Sequence, residues 1–503
     1  MEMGDPSRTK GTPSFACGFV PCKNSDPGFV FFVGSMLTIS GPQTSSRVRR
    51  RNFIQVGALG IGNFALPDLL RAEAAGNRGS SQKAVIHIHL DGGPPQMDMI
   101  DPKPDAPSEI RGEFGSISTK LPGFHVTELM PKTAQIADKL VFLRSLVGAA
   151  SRHDAFQCQS GFDSKSLAGI GGRPAMGCIV NKLLGSPGDA APAFVDIMQG
   201  RGQVRNSTRP GFLGPAFKPF QPDISQLFQR ELEPGMKGEL ARIQRLAPRT
   251  ELRLNENISL GRMDDRLGLL QLLDQVKREV DGSGSMGAMD QFNQQAMRIL
   301  TSGRLAEALD LEKEDPRVLA KFTPPWKDNP DRYYAAEGPH AVRKMLLARR
   351  LVEAGARVVS VSLSDWDSHR NNFPRMRDLV PVFDFAFHAL VTDLEERGML
   401  DDVTVLAWGE FGRTPKINSN GGRDHWPRVA MGMMAGGGMQ VGQVIGATDR
   451  SAAEATERPV HYQDVIATLY HNLGIDSTKT TVIDTTGRPQ YLVDIGKPIA
   501  ELV

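Results

Sequence analysis

Two short apolar runs, each ending in a burst of acids and histidine, constrain this chain more than anything else in it. Val358–Leu363 (VVSVSL) runs straight into Ser364-Asp365-Trp366-Asp367-Ser368-His369. Val403–Trp408 (VTVLAW) runs into Gly409 and Glu410, with Arg413, Arg423, Asp424 and His425 close behind. Their length and β-branched content are those of buried parallel strands. Between them, Leu379–Arg397 carries a helical pattern stopped by Gly398, so the order strand, helix, strand predicts a parallel pair. Before them, Val342–Ala354 places Met345, Leu346, Leu351 and Val352 on one helical face and stops at Gly355. In open parallel sheets, ligands bind just beyond the carboxyl ends of the strands. Both bursts lie at that place.

The first strand of the fold is expected at Ala84–Leu90, after Lys83, with His87 and His89 on one face by the two-residue period. Two alternate histidines are either ligands or hydrogen-bonded groups of a sheet face, and the second reading is favoured. Asp91 is the stronger candidate, because it stands where the strand gives way to Gly92-Gly93-Pro94-Pro95. Ala191–Val195 is a further short strand and Val460–Leu473 a closing helix. Residues 201–335 alternate Gly/Pro-rich and amphipathic stretches, among them Arg262–Val280, and are read as a helical insertion covering the sheet or its site. The fold class is therefore α/β, a parallel-rich sheet flanked by helices with a helical insertion.

A length of 503 residues fits one large domain or two, and 40% hydrophobic with 23% charged residues is ordinary for a globular chain. A net charge of +2 without an aromatic-interleaved basic face gives no case for nucleic acid. No stretch reaches the roughly 18 consecutive apolar residues of a stable membrane span. Arg50-Arg51-Asn52-Phe53-Ile54-Gln55, the mild apolar run Val56–Leu66 and Ala72-Glu73-Ala74 read in order as a twin-arginine signal peptide over 47–74. The partner it implies is the twin-arginine export machinery, and the destination is periplasmic or extracellular. Residues 1–46 precede that signal, an unusual position, and Met36 offers an alternative start. Cys17 and Cys22 fall in that extension. Cys158 and Cys178 remain, either as a disulfide or, the favoured reading, as two buried thiols.

Several segments together carry a family resemblance. These are Leu90-Asp91-Gly92-Gly93-Pro94, Asp98-Met99-Ile100-Asp101-Pro102-Lys103-Pro104, Gly112-Glu113-Phe114, Glu128-Leu129-Met130-Pro131 and Leu143-Arg144-Ser145-Leu146. They continue in Trp366-Asp367-Ser368-His369, Gly409-Glu410-Phe411-Gly412-Arg413-Thr414-Pro415 and Gly422-Arg423-Asp424-His425-Trp426. The chain resembles the uncharacterised exported bacterial family called domain of unknown function fifteen-oh-one, usually placed with the alkaline phosphatase and sulfatase-like superfamily. The resemblance covers most of residues 83–490. It implies an alkaline phosphatase-like α/β domain over 83–503. It also implies paired metals between strand ends, with Asp91, Asp367, His369, Glu410 and His425 as ligands. Similar sequences often carry Ser where this chain has Pro95, and no segment matches the superfamily's nucleophile motif cleanly. The segment Ser151–Gly161, which holds His153 and Cys158, lies about where a nucleophile would be sought, and the catalytic residue stays unassigned.

The residue types agree with that chemistry on their own terms. An extended backbone would set Asp365, Asp367 and His369 on one side. Carboxylate plus imidazole suits a divalent metal, zinc or manganese first, while further carboxylates admit calcium or magnesium. Arg413 and Arg423 offer the two parallel donors that suit a phosphate or sulfate. The expected activity is metal-dependent hydrolysis of phosphate or sulfate esters on a small molecule or a polysaccharide. The alternative is a non-catalytic exported binding or envelope protein that keeps the fold.

Overall fold

A computed structural model describes residues 83–503 apart from 187–188, 200–203, 205, 226, 229–302, 330 and 332–336. The extension 1–46, the signal 47–74, the helix expected at Arg262–Val280 and most of the insertion expected at 201–335 lie outside the described residues. No helix among the described residues is long and apolar enough to cross a membrane.

The frame is an eight-stranded mixed sheet. Its strands are β1 (Ala84–Asp91), β2 (Leu140–Val147), β3 (Phe194–Asp196), β4 (Val358–Ser364), β5 (Val403–Trp408), β6 (Ala430–Gly436), β7 (Gln443–Ile445) and β8 (Val460–His461). They lie in the order β7-β2-β6-β5-β1-β4-β3, with β8 also pairing β2. β1 pairs in parallel with both β4 and β5, and β3 with β4. β6 runs antiparallel to β5 on one side and to β2 on the other.

Strict alternation along these strands separates two cores. Ala84, Ile86, Ile88 and Leu90 of β1 join Val359, Val361 and Leu363 of β4 and Val403, Val405 and Ala407 of β5 in one cluster. Val85, Val358, Leu406 and Trp408 face the other. The first core is closed by helices α3 (Arg343–Ala354) and α4 (Asn372–Glu396), which bury Leu346, Leu351, Phe383 and Phe387. Each such side chain contributes about 1.5–3 kcal/mol by leaving water, so Leu351→Ala would cost about 2–5 kcal/mol with its cavity included. The second core is closed by α1 (Ala155–Ser160), α2 (Met176–Leu184) and α5 (Tyr462–Asn472).

α4 begins at Asn372, seven residues before the expected Leu379, and passes through Pro381. Proline removes one backbone bond from a helix interior, but here the helix buries Leu379, Val380, Val382 and Phe383 on either side of it. Packing outweighs the local preference.

Candidate metal centre

Four strand ends open at one edge of the sheet. β1 delivers Asp91, β4 leads to Asp367, and β5 leads to Glu410. β2 joins them because it is antiparallel to β6, which is antiparallel to β5, so its carboxyl end points the same way. The chain beyond β2 carries His153 into the group.

Residues in register across parallel strands share a face. His87 is level with Ser360 and Leu406, His89 with Ser362 and Trp408, and Asp91 with Ser364. This face therefore starts apolar at Val85 and becomes ionisable toward the edge. His87 is a satisfied member of it. Trp408 Nε1 donates to His87 Nε2 at 2.5 Å, and since an indole can only donate, the proton of the neutral imidazole sits on Nδ1. That N–H meets the Gln159 side-chain amide at 2.7 Å, which accepts it with the amide oxygen turned to His87 and the nitrogen to Ser360 Oγ. Burial, with the neighbouring His89, lowers the His87 pKa to about 3.

His89 differs from His87 although only one residue separates them. Among the described residues neither of its buried ring nitrogens has a hydrogen-bond partner, and nor does Oε2 of Glu410, 3.7 Å from His89 Nε2. One donor atom from each of His89, Asp91 and Glu410 lies within 4.8 Å of the others. All three residues are buried. Buried polar groups are ordinarily paired, and leaving one unpaired costs about 1–3 kcal/mol, more where charge is involved. A set of one imidazole and two carboxylates, in which both His89 nitrogens and Glu410 Oε2 have no hydrogen-bond partner among the described residues, suits a divalent cation.

A second cluster lies directly outside this one. One donor atom from each of His153, Asp367 and His425 falls within 4.8 Å of the others. His153 joins the two clusters, with Nδ1 2.8 Å from Glu410 Oε1 and Nε2 3.2 Å from Asp367 Oδ2. His369 Nε2 lies 3.0 Å from His425 Nε2 and 3.2 Å from Asp367 Oδ1, while its Nδ1 is held 2.6 Å from Asp424 Oδ1. Burial pulls the His153 pKa down, but its bonds to Asp367 and Glu410 and their charges outweigh that and raise it to about 9. Burial alone would raise Glu410, yet the His153 bond and the charges of His89 and His153 hold it at about 2. Asp367 is driven far below the carboxylate range: its bonds to His153 and His425 and the Arg413 charge overcome its burial. Glu410 and Asp367 are thus held ionised, with His153 carrying positive charge between them.

The loops that build it are locked by close approach. Gly92 has φ +118°, and a Cβ there would strike the backbone nitrogen of Asp367. Its own N–H donates to Glu410 Oε1 at 3.1 Å, and Trp366 N–H donates to Asp91 O at 3.0 Å. A Cβ on Gly422 would strike the His369 carbonyl, so that glycine lets the 409–426 loop lie against the 364–371 loop.

Of the five residues expected as ligands, Asp91 and Glu410 fall in the inner cluster and Asp367 and His425 in the outer one, while His369 lies beside the outer one against Asp367 and His425. Asp365 does not join them. Its φ of +82° turns it out of the extended path, and Arg375 Nη1 donates to its carboxylate at 3.0 Å.

The oxyanion role expected for Arg413 and Arg423 is corrected by their surroundings. Arg413 is fully buried; it donates to the carbonyls of Gly92, Gly93 and Arg423 and to Asp367 Oδ1 at 2.7 Å. Arg423 is buried too, with Nε and Nη2 on the two oxygens of Asp98. Its remaining N–H groups reach the carbonyls of Thr414, Pro415 and Ile110. Both guanidiniums are internal struts, with no free fork for an anion.

His89 and His153 are the residues that sequence reading left out. His89 was assigned to the sheet face with His87, and nothing local separates the two. His153 follows β2, and recognising Leu140–Val147 as a strand would have placed it at a strand end. Cys158 and Cys178 are both free and buried. Burial, followed by the charges of Glu410, Asp154 and Asp91, pushes the Cys158 thiol well up, which disfavours the thiolate a nucleophile needs.

No curated protein matches the chain at a significant level. Among solved structures, it is similar to the PsFucS1 sulfatase from Pseudoalteromonas sp., at 12% identity and TM-score 0.35, over 82% of this chain and 71% of that one. It is also similar to Ps i-CgsB, at 9% identity and TM-score 0.36, over 78% and 72% of the two chains. A third is the phosphonate monoester hydrolase SpPMH from Silicibacter pomeroyi, at 10% identity and TM-score 0.30, over 78% and 73%. The sequence matches the family described as "Protein of unknown function (DUF1501)" over residues 82–503. The chain belongs to that family.

Proposed function

We propose that this protein is an exported, metal-dependent hydrolase of phosphate or sulfate esters. The observation that carries the reading is the buried set of His89 nitrogens and Glu410 Oε2, without hydrogen-bond partners among the described residues, beside Asp91. Those atoms are shielded from bulk solvent, and a divalent ion would satisfy them together. Imidazole donors favour zinc or manganese, and the carboxylates admit calcium or magnesium. His89, Asp91 and Glu410 would hold an inner ion, and His153, Asp367, His369 and His425 an outer one. Such ions, when bound, supply Lewis-acid stabilisation of the attacking and leaving oxygens of a phosphoryl or sulfuryl transfer.

The chain's own residues set the stage for that transfer. Asp424 fixes His369 Nδ1, which turns Nε2 toward His425 and Asp367. Arg413 braces the ionised Asp367 from beneath. Hydrolysis joins a water oxygen to phosphorus or sulfur and releases the alcohol with a proton. Export rests on the twin-arginine pattern at Arg50-Arg51.

A second reading, a metal-binding envelope protein without turnover, is favoured by one observation. The two arginines best suited to an oxyanion are consumed as struts. The test is a panel of phosphate and sulfate monoesters offered to protein expressed in metal-replete medium. Turnover abolished by chelator and restored by zinc or manganese supports the hydrolase. Bound metal without turnover of any ester supports the envelope protein.

A further inference from the structure

An open cavity of about 550 Å³ is lined on one side by Asp424, the residue that holds His369 beside the outer cluster. The same side chain that lines this cavity holds His369 at 2.6 Å. Whatever fills the cavity therefore meets Asp424, which also contacts His369 at the partly exposed rim of the candidate metal centre. Its volume falls within the range of small-molecule sites.

The walls say what would fit. Ile110, Pro415, Ile417 and Trp426 make them mostly apolar. The Trp426 indole is held in place, with Nε1 donating to Ala453 O at 2.6 Å and Arg428 over the ring at 5.6 Å. A fixed aromatic and three aliphatic side chains suit a ring with an apolar face rather than a flexible polar chain. Lys416 also lines the cavity and is exposed, and among the described residues no hydrogen bond or ion pair engages its ammonium. The acid on the wall, Asp424, is already occupied by His369 and by Asn418 Nδ2.

We infer that this cavity receives the alcohol part of the ester, a ring-sized group with an apolar face that carries a second anionic substituent for Lys416. The inference rests on the hydrolase reading for the position of the reacting ester and adds the class of alcohol. It also explains why the strand-end loop continues through Thr414–Ser419 after Arg413 has made its internal contacts. That stretch builds one wall of the cavity.

The test titrates the full-length chain by calorimetry with methyl phosphate, phenyl phosphate, 4-carboxyphenyl phosphate, glucose 6-phosphate and glucose 1,6-bisphosphate, with zinc and again after chelation. At least one ring-bearing monoester is expected to bind about tenfold more tightly than methyl phosphate. Its partner with a second anion should gain a further few-fold. The phenyl and glucose arms identify the ring. Lys416→Ala should remove the gain from the second anion. Ile110→Trp, which fills the cavity, should bring the ratio of ring to methyl affinity to about one.

Equal affinity for methyl and ring esters, no ring ester binding at all, or ratios unchanged in both variants would overturn the inference. The two readings fail differently. If the ring advantage survives chelation while zinc changes nothing, the cavity stands and the metal reading falls. If methyl phosphate binds only with zinc and rings add nothing, the metal reading stands and the cavity assignment falls.

Discussion

The two halves of the centre are built on opposite terms. In the outer half, hydrogen bonds and ion pairs satisfy the charged atoms: Asp367 meets Arg413, His153, His369 and His425, and His369 meets Asp424. In the inner half, His89 and Glu410 Oε2 are fully buried, where the outer side chains are partly exposed, and have no hydrogen-bond partner among the described residues. The outer group would stand without an ion, held by its own network and by solvent at the half-exposed His369. The inner group has no such substitute. Burial alone does not mark a ligand set; burial with unmet bonding does.

The contrast can be broken most forcibly at Arg413, the strut beneath both halves. Arg413→Met leaves Asp367 without its buried countercharge and frees the carbonyls of Gly92 and Gly93. A loss of about 3–5 kcal/mol in unfolding free energy is expected by urea denaturation. Arg413→Lys should recover little of it, because an ammonium cannot span the same four acceptors.

His87 sharpens the comparison from within β1, since it shares a face with His89 but is fully paired. Its folded pKa of about 3 lies below the ordinary 6.5, so the unfolded chain binds the extra proton between those values. The stability it contributes is complete above about pH 6.5 and is lost as pH falls toward 3. The loss is on the order of 4 kcal/mol. His87→Gln, which cannot titrate, should flatten that part of the stability profile between about pH 6.5 and 3. An unchanged slope would place the acid sensitivity elsewhere.

Glu410→Gln tests the inner half directly. Replacing one buried carboxylate of a three-residue set should weaken zinc or manganese binding about 100-fold or more. The same change in the metal-free protein removes a buried negative charge and should be far milder.

The smallest effect belongs to the outer half. His369 is 44% exposed, and in metal-free protein His369→Ala should change stability by only about 0.5 kcal/mol. With metal present the change should weaken binding, and affinity should fall with pH through the imidazole range because a ligating ring must be neutral. Identical metal titrations of wild type and His369→Ala would remove this residue from the centre.

Much of this arrangement is legible in the sequence. β1, β4 and β5 are β-branched runs with abrupt polar ends, and such runs have few alternatives to a buried strand. The acids and histidines beyond them follow from that placement. β6 was not legible, because AMGMMAG replaces branched residues with Met, Ala and Gly and holds its place by pairing on both sides. Missing β6 also hid the direction of β2, and with it His153. The arginines failed for another reason. A guanidinium in a polar loop reads as solvent-facing, and only the folding of the 409–426 loop against 91–98 shows that Arg413 and Arg423 are inside. His87 and His89 are indistinguishable by period. The tertiary neighbours Trp408 and Gln159 serve one and not the other.

The central claim is that the inner cluster is a metal site. Elemental analysis of wild-type and Glu410→Gln protein, both expressed in metal-replete medium and dialysed without chelator, tests it most directly. Wild type should retain a divalent ion, lose it to chelator with a fall in melting temperature, and regain both on adding zinc or manganese. Glu410→Gln should retain far less. Metal-free wild type whose melting temperature does not respond to any divalent ion would contradict the account.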